Sequence, residues 1–461
     1  MNILLIIYDN GSYASEFPLG MGYIAATLKK EGHKVTIYNQ DVYHYPERHL
    51  KQYLDTNHFD MIGASFVAGY WQYSKMLSIS KAVNESKYRD MLLYIIGGHG
   101  PAAEPKYFLE KSGADLVVIG EGERTILEVL KHPYWEKIKG IAFFNNDGDF
   151  YKTERRPLIK NLDSVPFPEW DLFPINHYVM SPFPNMKHAD RTFPVLASRG
   201  CLFNCVFCFR LDEGHRVRSV NNVIEEIQQL HDKYNITYIA FYDELFMSSF
   251  KRVDEMCKGI IETGIDLRWC CDGRLNFARK DTLELMKKAG CVFINYGIES
   301  LDETVLKNIN KHLTLKQIYD GIKNTLNVGI SPGLNFIWGN PGDTKETLWK
   351  SIKFIIKHTD YSQFRTIRPV TPYPGCQLYD DAINKGLIKN VEDFYENKHQ
   401  NSDLLTANFT NISDDEFYEE LYEANRRLIT NYYQHKIKES VAIAKKLYID
   451  RDSNFRGYRH T

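Results

Sequence analysis

Short apolar β-type segments alternate with amphipathic helical segments along most of the chain, in two separate blocks. The strand candidates of the first block are Asn2–Tyr8, Val35–Tyr38, Met61–Phe66, Leu92–Ile96 and Leu116–Ile119. Strands that are apolar throughout, with helices between them, indicate a parallel sheet covered on both faces. We therefore expect a five-stranded, doubly wound α/β domain of flavodoxin or Rossmann type over residues 1–135.

A proline-rich segment separates the two blocks. The turn residues Asp147-Gly148 predict a hairpin just before it, and six prolines follow between residues 157 and 184. Proline at this density interrupts both helices and sheets. We expect residues 136–190 to form a hairpin and an ordered connector between two domains.

The alternation resumes after the connector. Its strand candidates are Phe193–Ser198, Tyr238–Tyr242, Leu267–Cys271, Val292–Gly297, Gly333–Trp338 and Phe364–Val370. Six strand–helix units are too few to close an eight-stranded barrel, so they predict an open, partial (β/α)6 barrel over residues 191–380. The functional site of such a barrel lies at the carboxyl ends of its strands. Residues 381–461 are predicted to form a helical C-terminal region.

Composition excludes several classes of protein. The 461 residues carry a formal net charge of −2, which disfavours nucleic-acid binding. No apolar run approaches the ~20 residues of a membrane-spanning helix, so no membrane span is expected. Eight cysteines are too sparse for a secreted disulfide scaffold. Three of them fall within eight consecutive residues, which points to a metal site in the reducing cytoplasm.

The clustered cysteines are Cys201, Cys205 and Cys208, with the spacing C-x3-C-x2-C directly after a predicted strand. Cysteine thiolates are the usual ligands of iron–sulfur clusters. Three thiolates can hold three irons of a [4Fe-4S] cluster and leave the fourth iron open to another ligand. The alternatives are three buried structural cysteines, or a zinc ion completed by His215, since structural zinc normally has four protein ligands.

The segment from Ser198 to Arg210 resembles the cluster motif of the radical S-adenosylmethionine (SAM) superfamily, in which Phe207 matches the usual aromatic residue. The resemblance implies that SAM chelates the open iron and is cleaved reductively to a 5′-deoxyadenosyl radical. It also implies an electron donor such as flavodoxin or ferredoxin.

Four further segments resemble SAM-binding motifs of this superfamily, in the expected order over residues 190–380. By that resemblance, Asp243 and Glu244 accept from the SAM amino group, and Arg274 holds its carboxylate with a guanidinium fork. The remaining candidates near SAM or substrate are Glu299 and Ser300 after the fourth strand and Asn335 on the fifth. For each there is also a structural interpretation as a helix cap, an ion pair or a solvated strand end.

Residues 1–135 resemble the cobalamin-binding domain that precedes the barrel in one large radical SAM class. The matching glycine-rich loops contain Gly97-Gly98 and Gly120-Glu121, where glycine permits close approach to a macrocycle or its nucleotide tail. The loop after the first strand departs from the Asp-x-His-x-x-Gly motif of cobalamin proteins with a lower axial histidine, because Gly11 stands at the histidine position. Some relatives bind cobalamin without that histidine and some bind none. We expect cobalamin at these loops, with His99 as a hydrogen-bonding residue rather than a cobalt ligand.

The leading hypothesis is a cobalamin-dependent radical SAM methyltransferase that acts on an unactivated carbon of a small molecule or natural product. The second is a radical SAM dehydratase, cyclase or rearranging enzyme whose first domain does not use cobalamin. The third is a non-catalytic iron–sulfur or corrinoid carrier. A tRNA methylthiotransferase is disfavoured, because the first domain contains no cysteine and the C-terminal region has an acidic run.

Overall fold

The computed structural model describes residues 1–11, 15–210 and 214–454. Within them, two α/β units are followed by a long C-terminal helix. The strands of the first unit are β1 (Asn2–Ile7), β2 (Lys34–Asn39), β3 (Met61–Ser65), β4 (Leu93–Gly97), β5 (Leu116–Val118), β6 (Ile141–Phe144) and β7 (Phe150–Lys152). Its α-helices are Leu19–Lys30, Gln40–Tyr43, Glu47–Thr56, Tyr70–Asn84, His99–Ala103, Pro105–Ser112 and Gly122–Lys131.

The first sheet has the strand order β2-β1-β3-β4-β5-β6-β7. Its first five strands are parallel, which confirms the expected doubly wound layer. The side chains of Ile3, Leu4, Leu5 and Ile6 are all buried, because helices cover both faces of the sheet. The carboxyl ends of the parallel strands therefore form one edge at which a ligand can bind.

The predicted hairpin extends this sheet instead of belonging to the connector. Strand β6 pairs antiparallel with β5, and β7 pairs antiparallel with β6. The apolar residues Ile141, Ala142 and Phe143 are buried there, and they cover a sheet edge that would otherwise be open. The exact domain bounds given above stay a prediction.

The second unit contains a six-stranded parallel sheet with the order β8-β11-β12-β13-β14-β15. Its strands are β8 (Thr192–Val195), β11 (Tyr238–Phe241), β12 (Arg268–Gly273), β13 (Cys291–Glu299), β14 (Ser331–Trp338) and β15 (Arg368–Pro369), with a separate antiparallel pair of β9 (Ser198–Gly200) and β10 (His215–Val217). The first and last strands, β8 and β15, are the two edges of the sheet, so the open partial barrel is confirmed.

Helices connect the barrel strands and then form the C-terminal region. They are Ile175–Tyr178, Val220–Tyr234, Phe250–Glu262, Lys280–Lys288, Glu303–Asn308, Leu315–Asn327, Lys345–His358, Gln377–Asn384, the π-helix Asp393–Lys398 and Asp414–Tyr448. Short 3-10 turns lie at Arg89–Met91, Trp135–Lys137, Leu162–Ser164, Trp170–Leu172 and Leu275–Phe277. The C-terminal helix has 35 residues and packs on the barrel helix Lys345–His358. None of the described helices has both the length and the apolar character of a membrane span.

The connector joins the two units through a continuous hydrophobic core. The ring of Phe17 lies 4.8 Å from Phe173, 5.5 Å from Tyr178 and 4.8 Å from Phe193 of β8, measured between ring centroids. All four rings are buried. Because the two units share one core, the edge of the first sheet and the barrel are held in a fixed arrangement.

Candidate active site

The three cysteines lie on the loop that follows β9. Gly200 ends this strand with a φ of +80°, a left-handed conformation that favours glycine at the start of the loop. Backbone hydrogen bonds fix the middle of the loop, since the N–H of Val206 donates to Ile309 at 3.1 Å and its carbonyl accepts from Leu378 at 2.9 Å. Cys205 is buried and Cys208 is exposed.

Positive charge surrounds the buried thiol. A hydrogen bond from Cys208, together with the charges of Lys311 and Arg274, lowers the pKa of Cys205, whereas the same hydrogen bond raises the pKa of Cys208 and burial raises that of Cys201. The thiolate is the form that binds iron. The donor chemistry of this loop therefore suits an iron–sulfur cluster.

Within the described residues, no three His, Cys, Asp or Glu side chains lie close enough to hold one metal ion. A four-iron cluster differs from a single ion in this respect, because each thiolate binds a different iron. His215, the fourth ligand in the zinc alternative, instead places Nε2 3.3 Å from the carbonyl oxygen of Leu245.

Arg274 is buried beside the loop, and its guanidinium lies 3.5 Å over the ring of Phe203. Among the described residues, its Nε and Nη2 atoms have no hydrogen-bond partner. Buried donors without acceptors are costly, so an anionic group bound beside them would be stabilising. The contact of Arg274 with the SAM carboxylate stays a prediction.

Glu299 and Lys311 form a buried ion pair near the same loop, with Oε1 and Nζ 3.0 Å apart. Burial alone would lower the pKa of Lys311, but the Glu299 carboxylate raises it above its ordinary value. Lys311 also lies 5.8 Å over the ring of Phe207. Ser300 is buried, and its Oγ accepts from the N–H of Asp302 at 3.2 Å. These contacts hold the end of β13 against the loop that carries the three cysteines, which we name the cluster loop.

The two acidic residues after β11 face different ways. Glu244 lines a cavity that lies between the two units. Asp243 instead accepts from the N–H of Ala197 at 3.0 Å and from the hydroxyl of Ser198. Its carboxylate therefore holds the entry into β9, and only Glu244 of the predicted pair faces the space open to a ligand.

Replacement of Asp243 by asparagine is expected to change how stability depends on pH. Burial raises the pKa of Asp243 from 3.8 to about 6, so the folded state favours the protonated form. The raised pKa of Asp243 stabilises the folded state fully below pH 3.8, and this stabilisation is lost as the pH rises through 6. The loss lowers the free energy of unfolding by about 2 to 3 kcal/mol. Urea unfolding of both proteins between pH 4 and 7 measures the difference. A difference independent of pH would contradict this.

A cavity of about 480 Å³ lies at the carboxyl edge of the first sheet and reaches between the sheet and its helices. The predicted residues Gly97, Gly98, Gly120 and Glu121 line it, together with His99. Gly98 has a φ of +92°, and a Cβ there would lie 2.5 Å from the carbonyl oxygen of Phe66. Gly98 thus packs tightly against the chain that follows β3, whereas a Cβ at Gly120 would meet nothing within 4 Å, so the cavity wall is open at Gly120.

Gly11 lies outside this cavity lining. It has a φ of +67°, and a Cβ there would lie 2.9 Å from the indole ring of Trp71. That indole donates from Nε1 to the carbonyl oxygen of Asp9 at 2.8 Å. Gly11 thus packs against the helix Tyr70–Asn84, and its predicted role toward the cofactor stays a prediction.

Glu121 makes a contact that the sequence analysis missed. Its Oε1 accepts from Arg199 and from Arg216, each at 2.8 Å, and its Oε2 accepts from the N–H of Ile159 at 2.6 Å. Arg199 also donates to Glu123 at 2.5 Å. Burial would raise the pKa of Glu121, but these hydrogen bonds hold it below the ordinary value. The first unit is thus joined to the second by ion pairs of Glu121 and Glu123 with Arg199 and Arg216.

Comparisons with known proteins agree with this geometry. The Radical SAM superfamily profile matches residues 195–355, and the B12 binding domain profile matches residues 12–130. An uncharacterized methyltransferase of Pyrococcus horikoshii is 33% identical over 382 residues, which are 80% of this chain and 79% of that protein. The chain belongs to the radical SAM enzymes that carry a B12-binding domain. The predicted resemblance is confirmed, and the carrier hypothesis is set aside because this family consists of enzymes.

Two further relatives of this B12-binding radical SAM enzyme are informative. The anaerobic magnesium-protoporphyrin IX monomethyl ester cyclase of Rubrivivax gelatinosus is 25% identical over 391 residues, covering 82% of this chain and 68% of that protein. The methyltransferase TsrM from Kitasatospora setae, solved with cobalamin and a [4Fe-4S] cluster, superposes with a TM-score of 0.65. At 14% identity, covering 83% of this chain and 78% of TsrM, it shows the shared fold. The cofactors of the enzyme are SAM, a [4Fe-4S] cluster and cobalamin.

The sequence analysis of this radical SAM enzyme missed two charged residues of the site. Arg199 stands two positions before Cys201, and a charged residue at the end of an apolar strand is a signal that could have found it. Lys311 follows a short helix and carries no pattern of its own. The predicted sixth strand, Phe364–Val370, is also shorter in the structure, where only Arg368–Pro369 form β15.

Proposed function

We propose that the chain is a cobalamin-dependent radical SAM methyltransferase acting on a carbon atom of a small molecule. The observation that carries the proposal is the cavity between the two units. One wall is formed by the glycine-rich loops of the B12-binding domain, and the facing wall contains Ser198, Arg199, Gly200 and Glu244 beside the cluster loop. The two cofactor regions thus open onto one space, as transfer between them requires.

The protein's own residues bind and orient the cofactors and shield the reacting groups. When bound, SAM and the cluster supply radical chemistry, and cobalamin supplies a methyl group. Arg274 is positioned to hold the SAM carboxylate, and Glu244 faces the space in which an ammonium group can be accepted. The Glu299–Lys311 pair fixes the loop carrying Cys205. The cavity wall also contains apolar residues such as Leu196, Ile95 and Val118.

The proposal includes a one-electron donor such as flavodoxin or ferredoxin, since the cluster must be reduced before SAM is cleaved. It also places the enzyme in the cytoplasm, where thiols stay reduced. We further propose that Asn335 contributes to binding near SAM. Its side chain donates to Asn295 at 2.7 Å and accepts from Arg365 at 2.7 Å.

Product analysis of the reconstituted enzyme tests the proposal. With a strong reductant, SAM and cobalamin, a methyltransferase of this kind is expected to form 5′-deoxyadenosine and S-adenosylhomocysteine in comparable amounts once substrate is present, because one SAM gives the radical and another renews the methyl group. Chromatography with mass detection measures both products, and protein without reductant is the control. Release of 5′-deoxyadenosine without any S-adenosylhomocysteine would contradict methyl transfer.

A cyclase is the second candidate, because the Rubrivivax gelatinosus relative is named as one and matches 82% of this chain. A cyclase consumes SAM without transferring its methyl group. The same product analysis separates the two functions, since only the methyltransferase produces S-adenosylhomocysteine.

A further inference from the structure

The lower interior of the partial barrel is closed by apolar side chains. Tyr238, Ala240, Cys270 and Phe293 from three neighbouring strands form a buried cluster. Phe183 and Met186 of the connector pack against it. We name these six residues the barrel floor. A molecule in the barrel therefore rests on this floor and faces the cluster loop above it.

A row of hydrogen-bonded polar side chains crosses the barrel directly above the floor. Arg365 donates from Nη1 to Oδ1 of Asn335 at 2.7 Å, and Asn335 donates from Nδ2 to Oδ1 of Asn295 at 2.7 Å. Asn295 donates from Nδ2 to Oδ1 of Asp272 at 2.9 Å. In each of these hydrogen bonds the donor lies on the Arg365 side and the acceptor on the Asp272 side. The orientation of the Asn335 and Asn295 amides is therefore fixed. We name these four residues the polar row.

The polar row lies between the floor and the cofactor end of the barrel. Asp272 stands two residues after Cys270 of the floor, on the same strand and the same face. Two residues of a strand span roughly 7 Å. Asp272 therefore lies about one side-chain layer above the floor, with Asn295 beside it in the register of β12 and β13. Asp272 is exposed, and the other three residues of the row are partly exposed, so the row faces open space.

Arg365 is held in place by neutral groups only. Besides Asn335, its guanidinium donates to Oε1 of Gln363 and lies 5.8 Å over the ring of Phe293. The charge of Asp360 acts on Arg365 and raises its pKa, but the Asp360 carboxylate is itself bonded to the N–H and the hydroxyl of Ser362 at 3.0 Å and 2.7 Å. Asp272 stands three strands away, roughly 14 Å at the usual strand spacing. Among the described residues, Arg365 forms no ion pair.

Gly333 has no side chain and so leaves room for the guanidinium of Arg365. A Cβ at Gly333 would lie 2.8 Å from Nη2 of Arg365 and 2.4 Å from Oδ1 of Asn295. Burial without a carboxylate partner lowers the pKa of Arg365 to about 10. A partly buried cation whose partners are all neutral is costly unless an anion binds it.

We infer that Arg365 binds an oxyanion of the substrate, a carboxylate or a phosphoryl group, at the polar row inside the barrel. The inference rests on the proposed function, and it places the acidic end of the substrate in the barrel interior, beyond the lining of the cavity between the two units. A guanidinium fork is suited to the two oxygens of such a group. The floor below it offers apolar contact to the neighbouring carbon chain. The substrate class is thus an acid with an apolar portion beside its charged group.

The test is a binding measurement on the reconstituted holoenzyme with SAM and without reductant, so that SAM stays intact. Calorimetry measures the affinity of hexanoate, hexylphosphonate and the neutral analogue hexanamide. We expect at least one oxyanion to bind at least about tenfold more tightly than hexanamide. The better of the two acids shows whether the site takes a carboxylate or a phosphoryl group.

Three variants locate the binding. Arg365→Gln is expected to weaken binding of the preferred oxyanion at least about tenfold, and Arg365→Lys to weaken it less, because lysine keeps the charge but loses the fork. Arg368→Gln is the matched control, since Arg368 lies three residues away, is 62% exposed and pairs with Asp403 on the surface. It should bind like the wild type.

Several results would overturn the inference. These are equal binding of hexanamide, no binding of either acid to the wild type, or unchanged oxyanion binding in Arg365→Gln. A loss of SAM affinity in Arg365→Gln as large as the loss of oxyanion affinity would assign Arg365 to SAM instead. Failure of the proposed function is distinct, because it would appear as missing S-adenosylhomocysteine while the oxyanion still bound through Arg365.

Discussion

Replacement of Cys205 by alanine is expected to abolish reductive SAM cleavage, by at least about a thousandfold, or about 4 kcal/mol of transition-state free energy. Cys205 is the most buried thiol of the loop, and the charges of Lys311 and Arg274 favour its thiolate. Without it, two thiolates remain for a cluster that needs three. Iron and sulfide content, the electron paramagnetic resonance spectrum of the reduced protein and 5′-deoxyadenosine formation measure the loss.

The matched control is Cys257→Ala, because Cys257 is also fully buried but lies on the outer helix Phe250–Glu262. It should keep its iron and its activity, with a modest loss of stability from the small cavity. If Cys205→Ala retained a reducible cluster and wild-type 5′-deoxyadenosine formation, the assignment of the cluster loop would be wrong.

Replacement of Arg199 by methionine is expected to lower the free energy of unfolding by about 3 to 5 kcal/mol, because it leaves buried carboxylates without their cation. Glu121 would keep Arg216, but Glu123 would lose the only ion pair that the described residues give it. Methionine preserves most of the apolar contact with the ring of Tyr23, over which Arg199 lies at 5.3 Å. Urea unfolding at neutral pH measures the change.

The control for this prediction is Lys139→Met, which removes the exposed pair with Glu154 and should cost under about 1 kcal/mol. A second substitution, Glu123→Gln in the Arg199→Met background, should recover part of the stability because it removes the stranded charge. No recovery in the double variant would show that the loss arises from packing, which would contradict the electrostatic account.

The sequence was sufficient for the features that repeat or cluster. Alternating apolar segments predicted both sheets, and three cysteines within eight residues indicated an iron–sulfur protein; that these three thiolates are the ligands stays a prediction. Charged contacts between distant segments were not predictable in this way. Glu121 looked like a cofactor residue because it stands in a glycine-rich loop, yet its carboxylate is bonded to Arg199, 78 positions later. No local pattern specifies a partner at that separation.

The sequence also did not show which of two adjacent acidic residues at the end of a strand faces the cavity. Asp243 and Glu244 are adjacent and both acidic, so either could face SAM. The chain direction after β11 decides between them, because Asp243 turns back to Ala197 and Ser198 while Glu244 lines the cavity. Similarly, the hairpin Ile141–Lys152 could be recognised as a hairpin, but its pairing with β5 depends on an open sheet edge.

The shared core around Phe17 restricts how molecules reach the catalytic space. Separating the two units would expose the rings of Phe17, Phe173, Tyr178 and Phe193 to water, so a hinged opening of the whole molecule is energetically disfavoured. The corrinoid and the acceptor molecule must then reach the cavity through local movements of the loops that line it, while the two units stay joined.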